Sequence, residues 1–342
     1  MLNILIMAGG SGERFWPLST KEHPKQLLKL FSDKPMIRET VDRVLPLVSP
    51  SNIFVATNAV QYESIKNCLD NIPNENFIIE PMFKDTAAAI GYGSIYINKM
   101  KGDSNIVVLA SDHIIDNKEE FHKLLRIANQ NVTDENIITF GIIPNKISTA
   151  YGYIQVNEIL KNQINNVVSF REKPNYETAL TYVESGKYLW NSGMFVFNYK
   201  SLMKHFEKYA KNHFVLFQAI INDEDKLENI FSKFDKISID YAIIEKSSHI
   251  KVIPATFGWN DVGDYNSFDE IFNKDNYGNV IRNTDYSSIE SYNNIVIGNG
   301  KHISTIGVED LIIIQTDNEL LILDKKDSQK IKELIHKIGE KK

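Results

Sequence analysis

Short apolar runs alternate with helical patterns through the first half of the chain. The apolar runs are residues 2–8, 52–57, 76–80, 105–110 and 136–142. Between the first two, apolar residues recur at helical spacing after Pro35, a residue that can begin a helix. A further helix is expected after Asp85-Thr86, where an acidic or hydroxyl side chain can cap a run of alanines. Strands and helices that alternate in this way predict βαβ units around a mainly parallel sheet.

From about residue 150 the pattern changes to longer strands separated by helices, as in YGYIQV, NNVVSFREK and SGMFVFN. These segments predict that the sheet is mixed and carries insertions. In VSFREKP, the two-residue alternation of a strand places Phe170 and Glu172 on one face and Arg171 and Lys173 on the other. Pro174 is expected to end that strand.

A third pattern of apolar and polar residues begins near residue 276. Asn299-Gly300 and Asp317-Asn318 each separate two apolar runs, which predicts two hairpins, because such residues tolerate positive φ. Ile331, Leu334, Ile335 and Ile338 form one apolar helical face, and Asp327 could cap that helix. The prediction is a large α/β domain over residues 1–275 and a small β-rich domain with a terminal helix over residues 276–342.

The composition of the 342-residue chain narrows the function classes. With 43% hydrophobic and 24% charged residues it is an ordinary globular protein, which excludes disordered, collagen-like and coiled-coil classes. The formal net charge of −6 gives no overall positive field to attract nucleic acid or an anionic membrane. Cys68 is the only cysteine, so an internal disulfide is excluded and a cytoplasmic location is expected. No apolar run approaches the roughly 18 residues of a membrane helix.

A glycine-rich loop directly follows the first strand, in the sequence AGGSGERFWPLSTKEHPKQ. Gly9, Gly10 and Gly12 let backbone amides converge on an anion, and Arg14 and Lys25 add two cations suited to phosphate. The loop lacks the spacing of a Walker A motif, of the dinucleotide fingerprint and of a hydrolase elbow. A glycine-rich turn can be only a tight connection, but the two cations favour a phosphate site.

Two acidic residues are candidate metal ligands. Asp112 follows the strand NIVVLA, at the end of a strand where open α/β sheets bind ligands, and Asp261 lies in GWNDVGDY. Two carboxylates combined with phosphate oxygens and water suit Mg²⁺. The alternative for Asp112 is a cap of the following turn, and the adjacent His113 is interpreted as a hydrogen-bonding neighbour.

The chain resembles the sugar nucleotidylyltransferases, also called nucleoside-diphosphate-sugar pyrophosphorylases. The residues that carry the resemblance are Gly9, Gly10, Gly12, Arg14, Pro17, Leu18, Pro24 and Lys25. FWPLS followed by PKQ is most similar to the mannose-1-phosphate guanylyltransferase branch. The resemblance implies that the loop from Ala8 holds a nucleoside triphosphate with Arg14, that Lys25 binds phosphate near the reacting centre, and that Asp112 and Asp261 hold the metal.

The same resemblance assigns base and sugar contacts. In EPMFKDTAAAI, the matching residues for nucleotide binding are Glu80, Pro81, Thr86 and Ala87. Lys84, Asp85 and Ala88 stand where that branch has Arg, Asn and Pro. On the sugar-phosphate side the resemblance implies backbone approach at Gly152, contacts from Glu172 and Lys173 in a Glu-Lys-Pro segment, and hydroxyl recognition by Asn191.

The implied fold is a Rossmann-like, mainly parallel sheet flanked by helices, with a β-helix-like C-terminal domain. The implied reaction is Mg²⁺-dependent: mannose 1-phosphate and GTP give GDP-mannose and pyrophosphate, with Arg14, Lys25, Asp112 and Asp261 as catalytic residues.

Two alternative functions stay open. One is a related enzyme for another sugar 1-phosphate or nucleotide, with a GDP-heptose, UDP-sugar or ADP-sugar product, and the other is a non-catalytic sensor of nucleotide sugars. An inverting glycosyltransferase fits less well, because such enzymes place a DxD acidic pair after a central strand, where this chain has Ser111-Asp112-His113. The chain is also expected to lack an isomerase domain and could form a homodimer through the C-terminal domain.

Overall fold

The computed structural model describes residues 1–10 and 12–339, and the chain forms two compact units. The first unit comprises Met1–Gly9, Ile37–Ser111 and Ile115–Trp259. The second comprises Gly10–Met36, Asp112–Ile114 and Asn260–Lys342. The glycine-rich loop belongs to the same unit as the C-terminal part of the chain, so no single boundary in the sequence separates the two units. The domain boundary at residue 275 therefore stays a prediction.

The first unit is built on one mixed sheet. Its strands and two short neighbouring strands are β1 Leu2–Met7, β2 Ile53–Asn58, β3 Phe77–Glu80, β4 Asn105–Ala110, β5 Ile114–Ile115, β6 Ile137–Ile142, β7 Tyr153–Val156, β8 Asn165–Arg171, β9 Tyr188–Asn198, β10 Ile250–Ala255 and β11 Trp259–Asn260. In the described residues the sheet has nine strands in the order β3-β2-β1-β4-β9-β6-β10-β8-β7, and β5 pairs with β11. β1 pairs in parallel with both β2 and β4, and β9 is antiparallel to β4 and β6. The five strands predicted in the first half are confirmed to within one residue at each end.

The α-helices of the described residues lie between strands and at the end of the chain. They are α1 Met36–Val44, α2 Tyr62–Cys68, α3 Asp85–Lys101, α4 Lys118–Asn131, α5 Tyr176–Ser185, α6 Tyr199–Tyr209, α7 Lys211–Asn222, α8 Leu227–Ser232, α9 Ile239–Ala242, α10 Phe268–Ile271 and α11 Ile331–Gly339. None of the helices in the described residues combines the length and the apolar character that a membrane span requires.

Helix α3 is the central helix of the first unit. Its small residues are buried, including Ala87 and Ala88 at 0% exposure. A Cβ placed on Gly91 would lie 2.0 Å from the Phe217 ring, so the glycine permits close packing of an aromatic side chain from α7. The predicted start at Asp85 is confirmed, and Asp85 Oδ1 accepts the Thr86 N–H at 2.7 Å. The alanine run is therefore a packing surface against the core.

The predicted extent of strand β8 is wrong at its C-terminal end. The strand ends at Arg171, and Lys173 has φ of +44°, so Glu172 and Lys173 do not alternate across a sheet. The chain turns at Lys173, so the strand stops before Pro174 rather than at it. The turn places Lys173 Nζ 2.7 Å from Glu172 Oε1, where the two side chains form an ion pair.

In the second unit the C-terminal part of the chain winds in successive turns of short strands, and we call each turn a coil. Its strands in the described residues are β12 Val280–Arg282, β13 Tyr286–Ile289, β14 Ile295–Ile297, β15 Ile303–Ile306, β16 Leu311–Gln315 and β17 Leu320–Asp324. They form one sheet in the order β12-β14-β16-β17 and a second sheet of β13 and β15. All pairs are parallel except β16 with β17, and this arrangement is β-helix-like.

Of the two predicted hairpins, one is confirmed and one is wrong. β16 and β17 are antiparallel around Asp317-Asn318, as predicted. At Asn299-Gly300 the chain does not fold back: the N–H groups of Gly298 and Gly300 donate to Arg282 O and Asn283 O, which belong to the preceding coil. Asn299-Gly300 therefore bends the chain from β14 in one sheet to β15 in the other sheet.

Buried asparagines and aliphatic residues repeat from coil to coil. Asn279 and Asn294 are both 0% exposed, and the Asn294 side-chain amide donates to Asn279 Oδ1 at 3.1 Å. Asn294 Oδ1 in turn accepts the Leu311 N–H at 2.9 Å. Val280 and Ile295, which are neighbours in the sheet, are fully buried beside this ladder. Hydrogen bonds at the corner and apolar packing along the strands together fix the coil register.

The terminal helix begins at Ile331, after a 3-10 turn over Lys325–Lys330. Asp324 caps that turn, since its side chain accepts the Lys326 N–H at 3.0 Å. The predicted cap, Asp327, instead lies inside the turn and pairs with Lys330 at 2.9 Å. The prediction of Asp327 as the cap is therefore wrong because the helical conformation starts one turn earlier.

Candidate functional site

The second unit contains an open, polar cavity of about 280 Å³, which we call the loop cavity. Its lining residues are Gly12, Glu13, Arg14, Phe15, Lys25, Asp112, His113, Asp261, Gly263 and Lys332. All four side chains predicted to be catalytic thus meet at one place, although up to 247 residues separate them in the chain (261 − 14). Their roles stay predictions, but their proximity is a structural finding.

Backbone conformation brings the glycine-rich loop close to Lys25. Gly12 has φ of +64°, and a Cβ on it would lie 2.5 Å from Lys25 Cβ, so a larger residue is excluded on two grounds. Ser19 Oγ donates to Gly12 O at 2.6 Å. Phe15, 1% exposed, anchors the loop in the core of the second unit, and Tyr265 donates its hydroxyl to Phe15 O at 2.8 Å. These contacts fix the positions of Gly12 and Phe15 within the second unit.

Lys25 connects the two predicted metal ligands. Its Nζ donates to Asp112 Oδ2 at 2.7 Å and to the backbone oxygen of Asp261 at 3.1 Å. The Lys25 side chain is 7% exposed, so this is a nearly buried ion pair. Burial tends to raise the pKa of Asp112, but the charge and hydrogen bond of Lys25, together with His113, lower the pKa below its usual value. Asp112 is therefore a carboxylate at neutral pH.

The residues of the loop cavity fit a hard divalent cation. Within residues 1–10 and 12–339 there is no cluster of three or more His, Cys, Asp or Glu side chains that could hold a metal by itself. Asp112 and Asp261 nevertheless both line the cavity. A Cβ on Gly263 would lie 3.1 Å from Asp261 Oδ2, so the glycine leaves room for that carboxylate. Mg²⁺ is commonly bound by one or two carboxylates, substrate phosphates and water, and this donor set matches that pattern.

Glu80, one of the predicted nucleotide contacts, lies at the end of β3 in the first unit and is 6% exposed. Burial raises its pKa to about 7. A Cβ on Gly9 would lie 3.1 Å from Glu80 Oε1, so the carboxyl group lies directly against the start of the loop. Asn58 donates to Gly9 O at 3.4 Å.

The other predicted nucleotide contacts are engaged within the protein. Thr86 Oγ1 accepts the Ile239 N–H at 2.9 Å, and the Ala87 N–H donates to Ile237 O. Lys84, which replaces the usual arginine of the resembled branch, donates to the backbone oxygens of Ser232 and Phe234 at 2.6 and 2.8 Å. Pro81 is partly buried. Glu80 is thus the residue of this segment whose carboxyl group lies against Gly9.

The four predicted sugar-phosphate residues form a second group in the first unit together with Asp240, which was not predicted. We call this group the carboxylate cluster: Gly152, Glu172, Lys173, Asn191 and Asp240. Glu172 Oε1 accepts from Lys173 Nζ at 2.7 Å. Glu172 Oε2 is buried and has no hydrogen-bond partner in the described part of the chain. A Cβ on Gly152 would lie 2.3 Å from that oxygen. The cluster therefore presents a carboxylate acceptor directly against glycine backbone.

Asn191 has a fixed orientation within the cluster. Its Oδ1 accepts from Thr139 Oγ1 and from the Gly193 N–H, each at 3.2 Å. The amide nitrogen must then point the other way, and it donates to Asp240 Oδ1 at 2.8 Å. Burial and the neighbouring charge of Glu172 raise the pKa of Asp240 to about 7, against the opposing effects of Asn191 and Lys173.

Sequence reasoning missed two of these residues. Asp240, in α9, is not among the predicted site residues. Lys332 was read only as part of a terminal helix. The sequence feature that could have indicated Asp240 is an acidic residue directly after Ser238 and Ile239, at the start of α9. For Lys332 the sequence offers only its position next to apolar Ile331 in α11.

The fold and the loop cavity define a nucleotide-binding transferase with an attached β-helix, and the chain belongs to the nucleotidyl transferase family. Residues 3–277 match the family described as nucleotidyl transferase. Residues 285–338 match the domain described as MannoseP isomerase/GMP-like beta-helix.

Two relatives carry the same activity in their names. The chain is 34% identical to a mannose-1-phosphate guanylyltransferase of Klebsiella pneumoniae, over 98% of this chain and 73% of the relative. It is 35% identical to a mannose-1-phosphate guanylyltransferase of Salmonella muenchen, over 97% of this chain and 72% of the relative. A crystal structure from Thermus thermophilus, described as a mannose-1-phosphate geranyltransferase, has a TM-score of 0.91 at 28% identity and covers 99% of both chains.

Proposed function

We propose that this protein is a mannose-1-phosphate guanylyltransferase that converts GTP and mannose 1-phosphate to GDP-mannose and pyrophosphate. The observation that carries the proposal is the meeting of Arg14, Lys25, Asp112 and Asp261 around the loop cavity. Guanylyltransferase relatives that align over nearly the whole chain support the choice of substrates.

In the proposed reaction, a phosphate oxygen of mannose 1-phosphate forms a bond to the α-phosphorus of GTP. The bond from that phosphorus to the bridging oxygen of the β-phosphate breaks, and its electron pair leaves with pyrophosphate. Because the nucleophile is already an anion, no general base is required. Alignment of the reactants contributes on the order of 7–11 kcal/mol, and neutralisation of charge supplies much of the rest.

Lys25 and Arg14 are the charge-neutralising residues in this scheme. Lys25 is positioned by Asp112 and by the backbone of Asp261, so its charge is aligned before the substrates bind. Arg14 is exposed in the loop and has a fork of donors that matches phosphate oxygens.

Asp112 and Asp261 would hold Mg²⁺ in this scheme. The cation would supply a further positive charge for the phosphate oxygens when it is bound. The ionised state of Asp112, maintained by Lys25 and His113, keeps that carboxylate ready to accept a cation at neutral pH.

The first unit would supply specificity. Glu80 would accept guanine N–H groups as a carboxylate, and the space that Gly9 leaves for its side chain supports this role. Glu172 and Asn191 would recognise sugar hydroxyls, and Lys173 would bind the sugar phosphate. The buried, unpaired Glu172 Oε2 supports this role because a ligand hydroxyl can satisfy it.

The decisive experiment is a panel of nucleoside triphosphates and sugar 1-phosphates, with pyrophosphate release as the readout. We expect GTP with mannose 1-phosphate to be the best pair and activity to be lost when Mg²⁺ is chelated. A faster reaction with another pair would assign the chain to a related transferase. No release with any pair, combined with tight binding of a nucleotide sugar, would indicate the sensor alternative.

We also propose a homodimer through the C-terminal β-strands. Ile306, Leu320 and Ile322 are 71%, 59% and 56% exposed, and they belong to a β-rich segment that could pair with a second copy. Light scattering coupled to size-exclusion chromatography tests this, since a monomer at micromolar concentration would contradict it.

A further inference from the structure

A cation from the C-terminal helix lines the loop cavity. Lys332 is the second residue of α11, about 70 residues beyond Asp261 in the chain (332 − 261 = 71), and it shares the cavity wall with Arg14 and Lys25. Its side chain is exposed. Neither the glycine-rich motif nor the acidic positions pointed to this residue.

The position of Lys332 is fixed by its neighbours. Ile331 is 2% exposed and packs in the same apolar core as Phe15 of the glycine-rich loop. Ile335, one helical turn further on, packs against the same core. A side chain that immediately follows Ile331 on the helix is therefore held beside the loop.

The turn before α11 is anchored to the segment that carries Asp261. Asn266 donates to Lys325 O and to Ser328 Oγ, each at 3.0 Å. Ser328 Oγ donates to Asp264 Oδ2 at 3.0 Å, and Lys325 pairs with Asp269 at 2.6 Å. This network fixes the start of α11 against the segment that follows Asp261, which lines the loop cavity.

The cations of the loop cavity differ in how far they are already neutralised. Lys25 is paired with Asp112. Within residues 1–10 and 12–339, the side chains of Arg14 and Lys332 are exposed and make no ion pair or hydrogen bond. Two charges are thus available for a polyanion at the open part of the cavity, whereas the third is held near the acidic residues.

We propose that Lys332 binds the phosphate chain of the nucleotide together with Arg14, on the β- and γ-phosphates that leave as pyrophosphate. The buried Lys25 lies beside the acidic residues, so the exposed cations are the ones that can reach the outer phosphates. The inference rests on the proposed function. It gives the C-terminal helix a direct part in substrate binding, in addition to its structural role.

Three variants test this inference. Lys332→Gln removes the charge and keeps most of the aliphatic stem, and Lys332→Arg restores a charge. Lys337→Gln is the matched control, because Lys337 is an exposed residue of the same helix that does not line the cavity. Circular dichroism and thermal unfolding verify that each variant is folded.

The readout is calorimetric binding of GTP and of inorganic pyrophosphate, each with Mg²⁺ and without the sugar substrate. We expect Lys332→Gln to weaken both about tenfold, the effect of losing one charged hydrogen bond at an exposed site. Lys332→Arg should stay within about threefold of wild type, and the KM for mannose 1-phosphate should not change. A higher salt concentration should reduce the difference between Lys332→Gln and wild type.

Two results would overturn the inference. One is unchanged affinity of Lys332→Gln for both ligands, and the other is an equal loss in Lys337→Gln, which would indicate only a change in overall charge. A wild-type protein that neither binds GTP nor releases pyrophosphate would instead contradict the proposed function. The two failures are therefore distinguishable in the same set of measurements.

Discussion

The loop cavity and the carboxylate cluster prepare for ligands in different ways. In the loop cavity the buried cation, Lys25, is already paired, while Arg14 and Lys332 are exposed and available. In the carboxylate cluster, Asn191 is fixed by Thr139 and Asp240, and the unsatisfied atom is a buried carboxylate oxygen of Glu172.

This difference follows from the chemistry of the proposed ligands. A triphosphate carries several charges, and long cationic side chains can reach it from the surface without a costly buried charge. Neutral hydroxyls give a weaker attraction, so their recognition requires acceptors that are already oriented and shielded from water. Substitutions in the two regions should therefore affect different kinetic constants.

The largest effect is expected at Lys25. Lys25→Met should lower kcat/KM by about a thousandfold or more, because it removes a charge aligned with the reacting phosphates and leaves the Asp112 carboxylate without its partner. Steady-state pyrophosphate release measures the loss. Lys21→Met, an exposed lysine of the same loop segment, is the matched control and should retain wild-type activity. A folded Lys25→Met enzyme with more than a tenth of wild-type activity would remove Lys25 from the mechanism.

A smaller effect, confined to the sugar substrate, is expected at Glu172. Glu172→Gln replaces the buried acceptor with an amide, which should raise the KM for mannose 1-phosphate about 10- to 100-fold and leave the KM for GTP within about twofold. Glu177→Gln, at an exposed position in the first turn of α5, controls for the loss of one negative charge. A parallel rise in both Michaelis constants would show that the two regions do not divide the substrates as proposed.

The sequence was most informative where local chemistry determines the outcome. Strand limits followed from apolar runs, and the turn at Asp317-Asn318 was found because its residues suit a hairpin. Asn299-Gly300 has the same local signal, yet the chain continues into a parallel coil, because coil stacking through Asn279 and Asn294 decides the pairing. Turn residues specify a bend but not which strand is paired after it.

The site was predictable only in part for the same reason. Lys25 and Asp112 could each be singled out from a motif or a strand end, but their 2.7 Å contact depends on packing between distant segments. Lys332 resembles any solvated lysine on an amphipathic helix, and only the burial of Ile331 beside Phe15 brings it to the cavity. Long-range packing thus supplies residues that no local pattern indicates.

The smallest expected effect concerns Glu80 and pH. Its pKa is raised to about 7 in the folded protein because of burial, whereas an exposed glutamate titrates near 4.5. If Glu80 accepts guanine N–H groups as a carboxylate, its ionised fraction, and with it the affinity for GTP, should rise about tenfold from pH 6 to pH 8. Because GTP itself also titrates, the quantity to measure is the ratio of wild-type to Glu80→Gln affinity at each pH.

The contribution of Glu80 to the stability of the folded protein should fall as pH rises, whereas the affinity for GTP should rise. Between about pH 4.5 and pH 7 the folded state holds a proton on Glu80 that the unfolded state has released, so the free energy of unfolding contributed by this group falls as pH rises through that window. Above pH 7 the contribution is constant. Urea unfolding of wild type and Glu80→Gln at pH 5, 6, 7 and 8 should therefore show a stability difference that shifts in favour of the variant as pH rises. A pH-independent difference in stability would contradict the raised pKa of Glu80. An affinity ratio that does not change with pH would instead place the Glu80 carboxyl group outside guanine recognition and restrict the titrating substrate contacts to the carboxylate cluster.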